Sequence, residues 1–203
     1  MTSSVRFTEE MLGHVTFGEL DFARGARPDR DGSAAFKFHL TIEVEDIEAF
    51  SRDPLRPATA VGWVECDALG GRLPVERGWF NLFVDVEPGV KHMLYRLWFR
   101  DGVGHPLTMT GFKLIENDAG FDVWKDTTTL FTRILAGHVT PDDGDDEADV
   151  VATGILHVLP ADFAVQCTTF RVHPSHRVDA LGRFGALFAG SLWEAFGPGA
   201  KKD

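Results

Sequence analysis

The chain has 203 residues and a formal net charge of −11, a length that suits one large β domain and a charge that repels nucleic-acid phosphates and anionic membrane surfaces. Hydrophobic residues make up 44% and charged residues 25%, which is ordinary for a folded protein and excludes wholesale disorder. No apolar run approaches a membrane span, the start has no signal-type segment, and Cys66 and Cys167 form neither a CxxC pair nor a zinc spacing. We therefore expect a cytoplasmic protein with reduced thiols.

Period-two alternation of apolar and polar residues is the main pattern in the chain and predicts antiparallel β structure. It is clearest in Ala35–Glu45, after which Asp46–Phe50 has the pattern of a helical turn. Further strands are predicted, in chain order, at Thr59–Asp67, Gly71–Glu76, Trp79–Val86, Val90–Arg100, Pro106–Glu116, Phe121–Leu135, Val150–Val158 and Ala164–Val172. Short turn-forming stretches separate most of these strands.

Eight to ten antiparallel strands with short turns predict a closed β-barrel of calycin or lipocalin type, because closure removes exposed strand edges. A two-sheet β-sandwich is the alternative that periodicity leaves open. After Pro174 the apolar residues recur every three or four positions, which predicts an amphipathic helix over residues 174–197. We expect this helix to pack on the barrel or cap it, within one domain covering residues 1–203.

Aromatic residues are numerous and unusual in kind: 17 Phe and 5 Trp stand against a single Tyr. Large, mostly apolar rings such as these pack in a core or line an apolar pocket. Several central strands carry such residues on both faces, which favours a barrel lined by aromatic side chains. The candidate ligand-binding residues are Trp63, Trp79, Phe83, Trp98, Phe112 and Trp124, with Arg96 and Arg133 as polar anchors on strands.

Motifs for catalysis or cofactor binding are missing from the sequence. There is no G-x-S-x-G nucleophile elbow, no P-loop and no dinucleotide fingerprint. His173 and His176 are close in sequence, but Pro174 between them prevents the helical pairing of common zinc sites. We therefore predict no catalytic residue, no metal site and no cofactor.

Acidic residues form two other patterns. The one cluster of successive acidic residues is Asp142–Asp149. It lacks the order of ligands that a calcium-binding loop requires, so we predict a solvent-exposed hairpin tip. Two pairs of carboxylates share a strand face, namely Glu65 with Asp67 and Asp122 with Asp126. Such pairs usually face solvent, and acid–base catalysis inside a barrel is the alternative.

Several strings are more distinctive than these patterns. They are Phe7–Met11, Leu73–Gly78, Phe80–Val84, Met93–Leu97, Gly111–Lys113, Trp124–Leu130, Thr168–Arg171, Arg183–Gly185 and Leu192–Glu194. Together they resemble an accessory region of large bacterial proteins that are similar to cholesterol oxidases of the glucose–methanol–choline (GMC) oxidoreductase family, some of which also carry an α/β-hydrolase portion. The resemblance covers nearly the whole chain but not the flavin domain, so it implies sterol-like or other hydrophobic substrates and no catalytic residue.

Three functions follow as hypotheses. The first is non-catalytic binding of a hydrophobic, sterol- or lipid-like small molecule, as an accessory to an oxidoreductase or hydrolase partner. The second is a protein–protein interaction module without a ligand, with a homodimer as one form of it. The third is a barrel enzyme, an isomerase or hydrolase, that uses converging carboxylates.

Overall fold

A computed structural model describes residues 4–87, 90–116, 128–158 and 171–173, and β-strands dominate them. The strands are β1 Ser4–Phe17, β2 Ser33–Val44, β3 Pro57–Cys66, β4 Gly71–Glu87, β5 Val90–Arg100, β6 Pro106–Glu116, β7 Thr129–Ala136, β8 Val150–His157 and β9 Arg171–His173. The helices are α1 Phe22–Gly25 and α2 Ile47–Arg52, and 3-10 turns occur at Asp67–Leu69 and Pro141–Asp143. Neither α-helix in these ranges has the length or the apolar character of a membrane span.

The strands form a closed, up-and-down antiparallel barrel. Strands β2 to β8 pair in sequence order, and β1 closes the barrel because it pairs with β2 on one side and with β8 on the other. The short β9 pairs with the first residues of β1. The predicted closed barrel is therefore confirmed, and its eight-stranded architecture is consistent with a calycin or lipocalin-like fold.

The core fills the barrel from alternating positions of the strands. In β2, every second residue from Phe36 to Val44 is at most 3% exposed, and the residues between them are partly exposed. The same alternation runs through β5, where Met93, Tyr95 and Leu97 are buried. Inward-facing side chains from all eight strands join one hydrophobic cluster, which supplies most of the free energy of folding.

Most predicted elements match the structure, and two do not. The bounds predicted for β5 and β6 are those observed, and the helical turn predicted at Asp46–Phe50 is α2. The strands predicted at Gly71–Glu76 and Trp79–Val86 are one strand, β4, because a shift of register lets the pairing with β5 continue through Arg77 and Gly78.

The N-terminal strand is the other difference. Nothing in the alternation predicts a strand before Ala35, yet β1 is the strand that closes the barrel. Two of its inward positions hide the pattern, since Glu9 is polar and Gly13 has no side chain. The predicted helix at 174–197, and residues 121–127 and 164–170 of two predicted strands, lie outside the described residues.

Candidate functional site

An apolar groove of about 630 Å³ lies on the outer surface of the barrel, next to α2. It is bounded by the end of β2, by α2 and the loop after it, and by the adjoining parts of β3, β4 and β5. Its apolar lining consists of Val44, Ala49, Phe50, Leu55, Pro57, Ala58, Trp79, Leu94 and Pro141. The volume and the predominantly apolar lining are typical of a small-molecule site.

Helix α2 forms one wall of the groove, and its sequence explains its position. Asp46 caps the helix, because one of its carboxylate oxygens accepts the backbone N–H groups of Glu48 and Ala49 at 2.9 and 3.1 Å. Ile47 and Phe50 are 1% and 3% exposed and join the core. The burial of these two side chains holds the helix against the barrel, so that Ala49 and Phe50 reach the groove.

The backbone beside the groove is strained at two residues that contact each other. Arg56 has φ 41° and Phe83 has φ 50°, and a non-glycine residue in this region costs about 1–3 kcal/mol. Nη1 of Arg56 donates a hydrogen bond of 2.8 Å to the Phe83 carbonyl, and the Leu82 N–H donates to the Arg56 carbonyl at 3.3 Å. Phe83 lies where the β4–β5 register shifts between Asn81 and Val84. Strain of this kind, held in place by a buried phenyl ring, is characteristic of functional sites.

The polar part of the groove is acidic. The carboxylates of Glu43, Glu45, Asp46 and Asp53 line it, whereas no Lys, Arg or His is found among the lining residues of the described ranges. Asp53 also stabilises the loop, because its Oδ1 accepts the Leu55 N–H at 2.8 Å. The groove therefore combines apolar walls with a negative electrostatic potential.

Trp79 lines the groove from β4, and its ring contacts two neighbours, Trp98 and Arg77. Its ring meets Trp98 edge to face, with ring centroids 5.0 Å apart, and the Arg77 guanidinium lies 4.5 Å from its centroid. Trp98 is itself held, since its Nε1 donates to the Val139 carbonyl at 2.9 Å. Among the described residues that were predicted to bind ligand, Trp79 is the one that lines this groove.

The other predicted aromatic residues lie elsewhere. Trp63 is on the outer face of β3, where it stacks on His39 and lies 4.1 Å from the Arg72 guanidinium. Phe112 is on the outer face of β6 and stacks on Phe131. Phe83 is 1% exposed in the core, and Trp98 is buried under the loop that follows β7. Trp124 lies outside the described residues, and a ligand-binding role for each of these residues stays a prediction.

The two predicted anchors are engaged with the protein itself. Nη2 of Arg96 donates to both carboxylate oxygens of Asp145, at 2.7 and 2.9 Å, and its Nη1 donates to the Val139 carbonyl. Arg133 lies on the outer face of β7, with its guanidinium 5.0 Å from the Phe22 ring of α1. A shift of one residue along a strand reverses the face, and the alternation around Arg133 does not distinguish the two.

Inside the barrel, three polar side chains meet across the lumen. Lys113 of β6 donates to Oε1 of Glu9 of β1, and the Tyr95 hydroxyl of β5 donates to Oε2 of Glu9, both at 2.6 Å. The three residues are at most 4% exposed. Burial, reinforced by the Glu9 carboxylate, raises the pKa of Tyr95 well above its usual value. Because β5 and β1 are four strands apart in either direction, this network joins opposite walls of the barrel.

The carboxylate pairs predicted from sequence do not form a catalytic centre in the described ranges. Glu65 forms an ion pair with Arg72 at 2.9 Å, and Asp67 begins a 3-10 turn on the surface. Asp122 and Asp126 lie outside the described residues. Within the described part of the chain, no cluster of three or more His, Cys, Asp or Glu side chains could hold a metal ion.

Sequence reasoning missed the polar network and the groove for different reasons. The network joins residues that are far apart in sequence, Glu9, Tyr95 and Lys113. Its signal in the sequence is a charged residue, Glu9 in β1 or Lys113 in β6, at a position where the alternation of the strand calls for an apolar one. The groove is built from segments 43–59 and 79–94 and from Pro141, which no local pattern connects. No protein-family model, no curated protein and no solved structure matches the chain.

Proposed function

We propose that this protein binds a hydrophobic, sterol- or lipid-like small molecule in the groove beside α2, without catalysing its conversion. The observation that carries the proposal is the groove itself, whose volume of about 630 Å³ lies within the usual range for small-molecule sites. The strained backbone at Arg56 and Phe83 and the tethered ring of Trp79 support it, because they hold the walls of the groove in a defined shape.

The site differs from the one that the aromatic composition suggests. Between β1, β5 and β6 the lumen is occupied by the network of Glu9, Tyr95 and Lys113. The groove, in contrast, is reached from the surface, and Leu55 beside it is 55% exposed. A ligand on the outer wall can enter and leave without opening the barrel, which suits a protein that passes its ligand on.

The accessory part of the proposal depends on the resemblance to a region of GMC-type oxidoreductases. This resemblance supports a role in delivering an apolar substrate to an oxidoreductase or hydrolase partner. We place both proteins in the cytoplasm. The acidic composition, with its net charge of −11, agrees with binding a molecule rather than a nucleic acid.

The test is a binding measurement with neutral apolar probes and a variant that fills the groove. Dodecanol, and cholesterol delivered from cyclodextrin, are titrated while tryptophan fluorescence and native mass spectra are recorded. The variant Ala49→Trp places an indole in the groove from α2, and we expect its affinity to fall at least about tenfold, because the ring occupies the ligand's space.

The matched control is Ala23→Trp, which adds the same ring to an exposed position of the other short helix, α1. We expect it to bind both probes like the unmodified protein. Failure of both probes to bind the unmodified protein would refute the proposal. So would binding that Ala49→Trp leaves intact, since the ligand would then occupy another site.

A further inference from the structure

We infer that the groove selects amphiphiles with a positively charged head, an alkyl or sterol-like body joined to an ammonium group, over neutral and anionic ones. This inference rests on the proposed function and adds the class of ligand. It starts from the carboxylates that line the groove, Glu43, Glu45, Asp46 and Asp53. Four negative charges around an apolar cavity oppose the entry of a fatty-acid carboxylate.

None of these four carboxylates forms an ion pair within the described residues. The side chains of Glu43 and Glu45 form no hydrogen bond or ion pair there, while Asp46 and Asp53 each use one oxygen to accept backbone N–H groups. Glu43 is half-buried at the end of β2. A half-buried carboxylate without a cation beside it favours a ligand that brings the cation.

Three arginines on the elements around the groove form no ion pair with its carboxylates. Arg6 stands opposite Glu43 in the β1–β2 register but is exposed and forms no ion pair with it. Arg52 pairs with Glu48 on the solvent side of α2 at 3.2 Å. Arg56 donates to the Phe83 carbonyl.

A fourth arginine, Arg77, lies over the rings of Trp79 and Trp98, at 4.5 and 5.1 Å. It is exposed and sits on β4, two strands from the carboxylates at the end of β2. Its charge is therefore close to the apolar wall of the groove and far from the acidic end.

The groove is also polarised along its length, which matches the shape of an amphiphile. Glu43 lies at the end of β2 and Glu45 and Asp46 in the turn before α2, whereas Trp79 and Leu94 come from β4 and β5, two and three strands away. An ammonium head at the turn places an apolar body over β3 towards Trp79 and Leu94. The head then gains electrostatic energy while the body buries apolar surface.

The experiment compares three probes with the same twelve-carbon chain and different heads: dodecyltrimethylammonium, dodecanol and dodecanoate. The two ionic probes are kept below their micelle concentrations and dodecanol below its solubility limit. Affinities are measured by isothermal titration calorimetry at low and high salt. We expect the ammonium probe to bind about tenfold more tightly than dodecanol, and dodecanoate to bind most weakly. The differences in affinity among the three probes should become small at about 0.5 M salt, because the Debye length then falls below about 5 Å and the charges are screened.

A double variant, Glu43→Gln with Glu45→Gln, tests the residues. We expect it to lose roughly threefold in ammonium affinity for each carboxylate removed, about tenfold together, with dodecanol unchanged. The matched control is Asp31→Asn with Glu147→Gln, which removes the same charge from two exposed positions outside the groove lining. Its ammonium affinity should stay within about twofold of the original, since more distant exposed charges are screened.

The outcomes separate the two proposals. Equal binding of the three probes, or an equal loss in the control double variant, overturns the inference about charge and leaves a groove that binds apolar molecules. Binding of none of the three probes overturns the inference and the proposed function together.

Discussion

Replacing Lys113 by Met should destabilise the barrel strongly, because it leaves the Glu9 carboxylate buried without its cation. The two side chains are 2% and 4% exposed, and their charged atoms are 2.6 Å apart. At an effective dielectric constant of about 20, the Coulomb attraction at this distance is about 6 kcal/mol. Desolvation of the two ions offsets much of it, and breaking one such buried pair costs about 3–5 kcal/mol.

The double variant Glu9→Gln with Lys113→Met should recover most of this loss. With both charges removed, the Gln side chain retains an acceptor for the Tyr95 hydroxyl, which donates to Glu9 in the original protein, and Met fills a volume similar to that of Lys. We expect the double variant to lie within about 2 kcal/mol of the original protein. The double variant is then about 1–3 kcal/mol more stable than Lys113→Met, and the coupling energy exceeds this gain because Glu9→Gln alone also leaves a buried charge unpaired.

The assay is urea unfolding at neutral pH, followed by tryptophan fluorescence and circular dichroism, with extrapolation of the free energy of unfolding to zero urea. Lys37→Met is the matched control, because Lys37 forms an ion pair of 2.7 Å with Glu10 on the outer face, where both side chains are partly exposed. Its cost should stay below about 1 kcal/mol. A loss of less than about 1 kcal/mol for Lys113→Met, or a double variant no better than the single one, would refute the reasoning.

Three further predictions follow from single buried residues. Burial raises the pKa of Tyr95, so the neutral hydroxyl stabilises the folded state fully below about pH 10, and this stabilisation declines as the pH rises further. The free energy of unfolding of Tyr95→Phe should therefore fall less steeply above pH 10 than that of the original protein. Burial also raises the pKa of the Cys66 thiol, which is 1% exposed; in a Cys167→Ser background, Ellman's reagent should label Cys66 only as fast as the protein unfolds, and labelling unaffected by urea would contradict this. Gly154→Ala should cost at least about 2 kcal/mol in urea unfolding, because its Cβ would lie 2.0 Å from a backbone carbonyl oxygen of β1; an unchanged midpoint would show that the two strands are further apart.

The network of Glu9, Tyr95 and Lys113 also bears on the hypothesis of a barrel enzyme. A general acid–base pair needs two titratable groups that converge on an open space. Here the Glu9 carboxylate has both oxygens engaged, by the Lys113 ammonium and the Tyr95 hydroxyl. In this arrangement the network acts as a cross-link between opposite walls rather than as a pair of catalytic groups.

The sequence by itself determined the architecture of the middle of the chain. In β2, β5 and β6, apolar side chains occur at every second residue and therefore lie on one face of each strand. A β-strand with that face buried is the structure that this pattern favours. Short turns between successive strands then favour neighbours that pair in order. These local patterns predict antiparallel strands that pair in order, whereas closure into a barrel rather than a two-sheet sandwich depends on the pairing of β1 with β2 and β8.

Tertiary structure decided the rest, because it depends on residues that are distant in sequence. The strand that closes the barrel, β1, could not be predicted by alternation, since Glu9 is polar and faces inward, where Lys113 compensates its charge. The face on which Arg133 lies was equally undetermined, because a shift by one residue is invisible to a pattern of threonines and apolar residues. The groove beside α2 exists only because three regions of the chain meet there, and a cavity is a property of packed surfaces rather than of any one segment.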